Sequence, residues 1–478
     1  MTSNLPQYNI QIFTFSAKNT YYLREMTRII YLALCVLLIP AVTACSAQQP
    51  LKYETDPALH ALLDKPAAYP QVNFAVMTDL HTYDPGLGTE GKAFENYVAG
   101  DYKLTKESAE ILQTAIGQIN GENVSFVLVP GDLTDHGDRT SHELVAQYLK
   151  QLQATGKKVY VIPGNHDIDN PNAVSYAGNF IQSVPDITAE EFAQIYADFG
   201  YKDALYRDPA SLSYVAEPQQ GLWLLALDSA RYKDKIGETE TVTGGRFSPQ
   251  TLEWIEDMLI KAAQSGKAVI AMEHHPVTEH FDGMATYFPE YVIENYQAVS
   301  RLFAAYNVRL VFTGHFHAQD ITERSWPDIN KFLFDVETGS LVTYPCPYRV
   351  INIDESQKAT IRSVRIQSIV SHPQDFQAYA QAQLENGVTA TATNMIASYG
   401  VDRPEAEKLG AQVAQAVVAH IAGDEKLPAG QPAIQENGLS PLAWMGVQFK
   451  KGLVESLWKD LPPPDNNVTL DLKTGGWQ

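Results

Sequence analysis

Thiols are scarce: the 478 residues contain three cysteines, Cys35, Cys45 and Cys346. Two belong to one apolar N-terminal stretch and the third stands alone, so no disulfide framework organises this chain. Basic residues are also few, since 35 Lys and Arg against 56 Asp and Glu leave a formal net charge of −21. That balance disfavours a nucleic-acid polymer as the main partner, because its phosphates need an excess of cations. A small phosphorylated substrate is not excluded, because bound metal ions override the global field locally. The apolar segment from Ile29 to Ala41, broken by Pro40, falls short of the roughly 20 residues that a transmembrane helix needs. There is no His-Glu-x-x-His helix of a zinc peptidase, no Walker or glycine-rich nucleotide loop, and no internal repeat.

What is present begins with bulk. The chain is 45% hydrophobic and 19% charged, enough to bury a large core in one main domain with a smaller addition. Its N-terminus reads as an address: Arg24 and Arg28, then the apolar segment, then Val42-Thr43-Ala44-Cys45. That is the layout of a secretory signal. The ending resembles a bacterial lipobox, which implies an exported lipoprotein anchored to the membrane through Cys45. Ser46 in the following position points to the periplasmic side of the outer membrane in a Gram-negative cell. A plain signal peptide cut near Ala47 is the alternative, and Met26 is a candidate start. Residues 1–45 are thus the signal segment, and 46–70 a tether and lead-in.

The chemistry gathers at the ends of strands. Val159-Tyr160-Val161-Ile162 is a β-branched and aromatic run that reads as a buried strand, and Pro163-Gly164-Asn165-His166-Asp167 turns the chain out of it. Val72–Met77 reads as the first strand, with Asp79-Leu80-His81 just beyond. Alternate residues of an extended segment face the same side, so Asp79 and His81 are expected to reach one point while Leu80 packs the other way. After a Gly- and Tyr-bearing insertion from Tyr83 to Lys103, helical spacing runs from Glu107 to Ile119. The strand Val124–Val129 then enters Gly131-Asp132-Leu133-Thr134-Asp135. Strand, helix and strand make a βαβ unit, so these strands should be parallel with a right-handed crossover.

The pattern continues beyond the third strand. A helix near 189–199 and a hairpin of Ser211–Ala216 with Gly221–Leu227 precede the helix opened by Ser248-Pro249. The strand Ala268–Met272 ends in Glu273-His274-His275-Pro276, and Arg309–Phe312 ends in Thr313-Gly314-His315-Phe316-His317. Five of the 12 histidines (His81, His166, His274, His315 and His317) therefore stand at strand ends. Histidines placed for packing would not keep that register. Further strands are expected at Phe332–Val336, Tyr348–Ile353 and Ala359–Val364.

Carboxylate, imidazole and amide oxygen without thiolate suit Mn, Fe or Zn better than copper(I) or an iron–sulfur cluster. Two such ions sharing a carboxylate can activate a hydroxide and clamp a phosphoryl group for in-line displacement. Five blocks stand in order: Asp79-x-His81, Gly131-Asp132-x-x-Asp135, Gly164-Asn165-His166-Asp167, His274-x-Pro276 and Gly314-His315-x-His317. In these blocks the chain resembles the calcineurin-like metallophosphoesterase family. The resemblance implies an α/β fold, a four-layer αββα sandwich with mixed sheets, over residues 71–366. It implies that Asp79, His81, Asp132 and His317 hold one metal ion. Asp132, Asn165, His274 and His315 would hold the second, with Asp132 bridging. His166 would protonate or assist the leaving oxygen, a role imidazole fills near neutral pH, with Asp167 as its orienting partner.

Asp135 and His275 are read as supports rather than ligands, and no iron–tyrosinate centre is expected, because Asp135 stands where purple acid phosphatases carry a tyrosine. His136, His280 and Asp228 read as solvated loop or structural turn. Arg349 has two readings, a grip on phosphate or a structural ion pair. From 367 to 478 the composition turns to Ala, Gln and Glu, with helices near Gln377–Leu384, Pro404–Ile421 and Leu442–Leu457. This reads as a helical appendage ending in a polar, loose segment after Pro462–Pro464. The expected function is a two-metal phosphoric ester hydrolase that leans to diesters. The alternatives are a phosphomonoesterase or nucleotidase of the same fold, or a catalytically silent metal-binding lipoprotein.

Overall fold

The computed structural model describes residues 52–234 and 240–478. The export and lipid-anchor reading rests on Arg24, Arg28 and Cys45, which lie outside the described residues. No described helix is long and apolar enough to cross a membrane.

The apolar runs form strands. β1 (Val72–Val76), β2 (Phe126–Pro130) and β3 (Lys158–Ile162) are parallel neighbours in a six-stranded sheet. β4 (Val174–Ala177) and β5 (Phe180–Ser183) make a separate hairpin. A seven-stranded sheet takes β6 (Tyr206–Arg207), β7 (Tyr214–Gln219), β8 (Leu222–Leu227), β9 (Ala268–Glu273), β10 (Leu310–Thr313), β11 (Asp320–Trp326) and β12 (Lys331–Glu337). Within it β8, β9, β10 and β12 are parallel. β13 (Pro347–Ile353), β14 (Lys358–Arg365) and β15 (Asn467–Asp471) return to the first sheet and extend it antiparallel from β1.

Period-two alternation builds the layers. On β8, Leu222, Leu224 and Ala226 enter the core between the sheets with Phe74, Phe126 and Phe312. Trp223, Leu225 and Leu227 enter a second core, against Ile255 and Leu259 of the helix Pro249–Gln264 and Phe303 of the helix Tyr296–Ala305. Phe74 and Phe312 meet edge-on across the sheets, with ring centroids 5.3 Å apart. Each such ring, fully buried, contributes about 2–3 kcal/mol. The helices Ser108–Gly121 and Arg139–Gln153 bury Ile111, Leu112, Val145 and Leu149 against the first sheet. The result is a four-layer αββα sandwich. Helix starts are fixed locally: Ser248 accepts from the amide of Thr251 ahead of Pro249, and Asp138 from that of Ser141.

Three readings change. The lead-in is packed, not a free tether, from Lys52 onward: two short helices, Lys52–Thr55 and Pro57–Leu63, bury Tyr53, Leu59 and Leu63 in the second core. The C-terminal helices Phe376–Ser398, Arg403–Ile421 and Pro441–Leu457 form, but the end is not loose. β15 closes the edge of the first sheet, Val468 and Leu470 are buried, and Trp477 bridges back to Leu470. Alternating apolar residues 468, 470 and 472 carried that signal, against the turn-forming residues on either side. Third, the insertion from Tyr83 to Lys103 holds a helix, Lys92–Val98, which buries Phe94 against Tyr83 and Tyr176.

Candidate metal centre

The turns after β1, β2, β3, β9 and β10 meet at the carboxyl ends of the two sheets, where open α/β sheets place ligands. Five donors have left-handed backbone: Asp79 (φ 49°), His81 (36°), Asp132 (48°), His315 (75°) and His317 (69°). Such strain in non-glycine residues concentrates at functional sites. It also corrects the first expectation. Asp79 and His81 converge through a left-handed turn, not by alternation along a strand. Two motif glycines are required by close approach: a Cβ on Gly164 would lie 2.2 Å from Asp132 Oδ1, and one on Gly314 would lie 2.2 Å from Asp79 Oδ2.

Two groups of inward-facing atoms result. In one, His81 Nε2 lies 3.0 Å from His317 Nε2, and Asp79 Oδ1 lies 3.8 Å from the first and 3.4 Å from the second. In the other, His274 Nε2 lies 3.1 Å from Asn165 Oδ1 and 3.2 Å from His315 Nδ1. Asp132 Oδ2 stands between them, 3.6 Å from His81 Nε2 and 3.3 Å from His274 Nε2. The other Asp132 oxygen accepts from the His166 amide at 2.9 Å.

The outward nitrogens fix the tautomers. His274 Nδ1 is 2.9 Å from the Pro130 carbonyl and His315 Nε2 is 3.1 Å from the Glu290 carbonyl. Metal-ligating histidines are oriented in this way, and it turns the other ring nitrogen of each inward. His81 Nε2 with His317 Nε2, and His274 Nε2 with His315 Nδ1, thus face each other at 3.0 and 3.2 Å beside two carboxylates and an amide oxygen, a donor set that fits a pair of divalent ions.

Burial, then the Lys103 charge, hold His81 well below its usual range, and burial with His275 and His274 does the same to His315. Both therefore present neutral nitrogen. Burial would raise Asp132, but His274, His166 and His81 hold its carboxyl well below the carboxylate range. The pair works both ways: against its burial, Asp132 pushes His274 up to about 9.

The remaining candidates divide. His166 is 29% exposed, with Nδ1 2.7 Å from the Asp135 carbonyl and Nε2 4.0 Å from Asp132 Oδ2, so one edge of its ring faces both donors and solvent. Asp167 does not orient it. Its carboxylate accepts from the amides of Gly164, Leu133 and Thr134 and from the Thr134 hydroxyl, and clamps the second turn to the third. Four donors in a turn outcompete a neighbouring ring that leaves in another direction. His275 uses both nitrogens, on Ser229 Oγ and the Thr243 carbonyl.

His280 is not a solvated loop residue: it is fully buried, 2.6 Å from Asp320 Oδ1. Asp228 holds a turn through the amides of Leu212 and Ala230. Arg349 is buried and donates to the carbonyls of Asp320, Glu337 and Asp465, so it has a structural role and no grip on phosphate.

Sequence reasoning missed the residues that hold Asp135. Lys103 Nζ lies 2.8 Å from Asp135 Oδ1, and the Tyr97 hydroxyl bonds the other oxygen. Both come from the insertion, and no spacing links them to Asp135. Tyr102 also arrives from there, 3.5 Å from His317 Nδ1.

A family model for calcineurin-like phosphoesterases matches residues 72–319. A probable cyclic nucleotide phosphodiesterase of Vesicomyosocius okutanii is 35% identical over 68 residues, which are 14% of this chain and only 28% of that protein. A 3',5'-cyclic-nucleotide phosphodiesterase of Nostoc is 23% identical over 256 residues, 52% of this chain and 72% of that protein. Among solved structures, a dimetal phosphatase from Danio rerio aligns at 15% identity with a TM-score of 0.43, over 63% of this chain and 98% of that one. A purple acid phosphatase from yellow lupin aligns at 14% identity with a TM-score of 0.38, over 63% and 52%.

Proposed function

This chain belongs to the calcineurin-like phosphoesterase family, and on that premise we propose that it is a two-metal hydrolase that prefers phosphodiesters. The observation that carries the reading is the place of Asp132, whose Oδ2 lies within 3.6 Å of His81 Nε2 in one donor group and 3.3 Å of His274 Nε2 in the other. Asp79, His81, Asp132 and His317 would hold one ion, and Asp132, Asn165, His274 and His315 the other. When bound, the ions supply Lewis acidity that activates water and neutralises developing charge on the phosphoryl group. His166, open to solvent beside Asp132, donates a proton from Nε2 to the leaving oxygen while the Asp135 carbonyl holds its Nδ1–H.

Charge supports the diester preference. Lys103 is taken up by Asp101 and Asp135, and Arg349 by backbone carbonyls. Neither is left to meet the second negative charge of a monoester. The names of the two relatives make a cyclic nucleotide the first natural diester to try. Chelation and metal add-back on bis(4-nitrophenyl) phosphate and 4-nitrophenyl phosphate test the reading. Metal-dependent release, faster from the diester, is expected. Release from neither would leave a metal-binding protein without turnover.

We further propose export and lipid anchoring through Cys45, supported by the Arg24-to-Cys45 pattern. Labelling with a palmitate analogue should be lost in Cys45→Ala.

A further inference from the structure

A second group of donors, sharing no residue with this centre, lies where the helical tail meets the catalytic body. Asp320 opens β11, His420 is in the last turn of the helix Arg403–Ile421, and Glu425 follows just past Gly423. One ligand atom from each lies within 4.8 Å of the other two. Their side chains are sealed from solvent: Asp320 is 1% exposed, His420 2% and Glu425 1%. Asp465, on the segment leading to β15, is buried beside them, and the charges of Asp320 and Glu425 act on it.

Each of these four side chains keeps one polar atom without a hydrogen-bond partner: Asp320 Oδ2, His420 Nε2, Glu425 Oε2 and Asp465 Oδ2. Their other atoms are engaged. Asp320 Oδ1 meets His280 Nδ1, Glu425 Oε1 lies 2.7 Å from His420 Nδ1, and Asp465 Oδ1 accepts from the Ile321 amide at 2.9 Å. Buried polar atoms are almost always partnered, and four orphans in one buried group point to a missing cation. The charge balance agrees. The neighbouring Arg349 guanidinium donates to main-chain carbonyls, and His280 is the imidazole in contact with Asp320. Three converging carboxylates therefore exceed their cationic partners, which is costly in a buried place.

We propose that Asp320, His420 and Glu425, with Asp465 beside them, bind a third divalent cation, of the zinc or manganese class, that locks the tail onto the body. Mixed imidazole and carboxylate donors without thiolate suit those ions. The segments are also held in register independently of any ion. The Gln319 amide donates to the Ile421 carbonyl at 3.0 Å, Asn466 Nδ2 donates to the carbonyls of Ala422 and Gly423, and a Cβ on Gly423 would lie 2.4 Å from the Gln319 carbonyl. The site is thus pre-formed rather than assembled by the metal.

The test counts metal without using turnover, so its outcome is separate from the diesterase reading. In an Asp132→Asn background, the full chain is stripped with chelator, reloaded with Zn²⁺, dialysed and assayed by inductively coupled plasma mass spectrometry. The Asp132→Asn protein should retain one zinc equivalent more than Asp132→Asn with Glu425→Gln. Zn²⁺ should raise Tm by several degrees only in the first. Equal zinc content and equal Tm shifts in the two would overturn the site, and would leave Glu425 and Asp465 sharing a proton instead. Should the double variant not fold, zinc-edge anomalous diffraction from zinc-soaked crystals of the unmodified chain decides. A peak between Asp320, His420 and Glu425 supports the site, and no peak there overturns it.

Discussion

His166 Nδ1 lies 2.7 Å from the carbonyl oxygen of Asp135, and this contact, rather than the Asp167 carboxylate, sets which edge of the ring faces Asp132. A neutral carbonyl fixes the tautomer and leaves Nε2 on the edge that faces Asp132 and solvent. His166→Ala should therefore retain its metal content while turnover falls by roughly 10²–10⁴-fold, the span general acid catalysis covers. The loss should shrink for leaving groups as good as 4-nitrophenolate and grow for an alkoxide. A series of aryl and alkyl diesters measures that slope, and equal losses across the series would remove His166 from the proton-transfer role.

Asp132 Oδ2 serves both donor groups, so one neutral replacement should affect two ions. Asp132→Asn keeps the shape and the acceptor oxygen for the His166 amide, but removes the shared charge between His81 and His274. Metal retained after dialysis should drop for both ions together, with activity below a hundredth of the starting value. Loss of a single equivalent would show that the carboxylate serves one ion alone.

Gly164 tests packing instead of charge. It stands between β3 and the donors, and the methyl of Gly164→Ala would come 2.2 Å from Asp132 Oδ1 and 2.4 Å from the Asp132 backbone nitrogen. Backbone cannot swing aside as a flexible side chain can, so the whole turn must shift. Overpacking of this kind costs about 1–3 kcal/mol. A lowered Tm together with weakened metal retention is expected, and Gly117→Ala, which meets nothing within 4 Å, should show neither.

The donors were legible in the sequence because each stands within a few residues of the end of an apolar run, so the local pattern that makes a strand also places the turn. Lys103 and Tyr97 were not, because they reach Asp135 from an insertion 32 and 38 residues away, and nothing in either segment alone encodes that meeting. Asp167 was misread for a related reason. Adjacency to His166 is visible in the sequence, but the direction a carboxylate takes in a turn depends on which amides the fold offers it. β15 was hidden because its two alternating apolar residues, Val468 and Leu470, lie between turn-forming stretches, and only the open edge of β14 gives them a partner.

His142 should give the fold an acid-sensitive component independent of metal. It is buried, with Nδ1 2.9 Å from the Tyr196 hydroxyl and Nε2 2.8 Å from the Asp167 carbonyl. Burial pushes it down to about 3, and the Asp167 carbonyl only partly opposes this. In the unfolded chain a histidine titrates near 6.5. Above that value neither state takes a proton and the contribution is complete. As pH falls from about 6.5 towards 3, the unfolded state binds a proton that the folded state refuses. Stability should then decline by up to about 1.4 kcal/mol per pH unit from this group. Urea unfolding between pH 7.5 and 4.5, with chelator present so that loss of metal does not contribute, measures the decline. His142→Gln should be less stable at pH 7.5 but flatter with pH than the unmodified chain, and parallel curves for the two would show that the acid response comes from other groups.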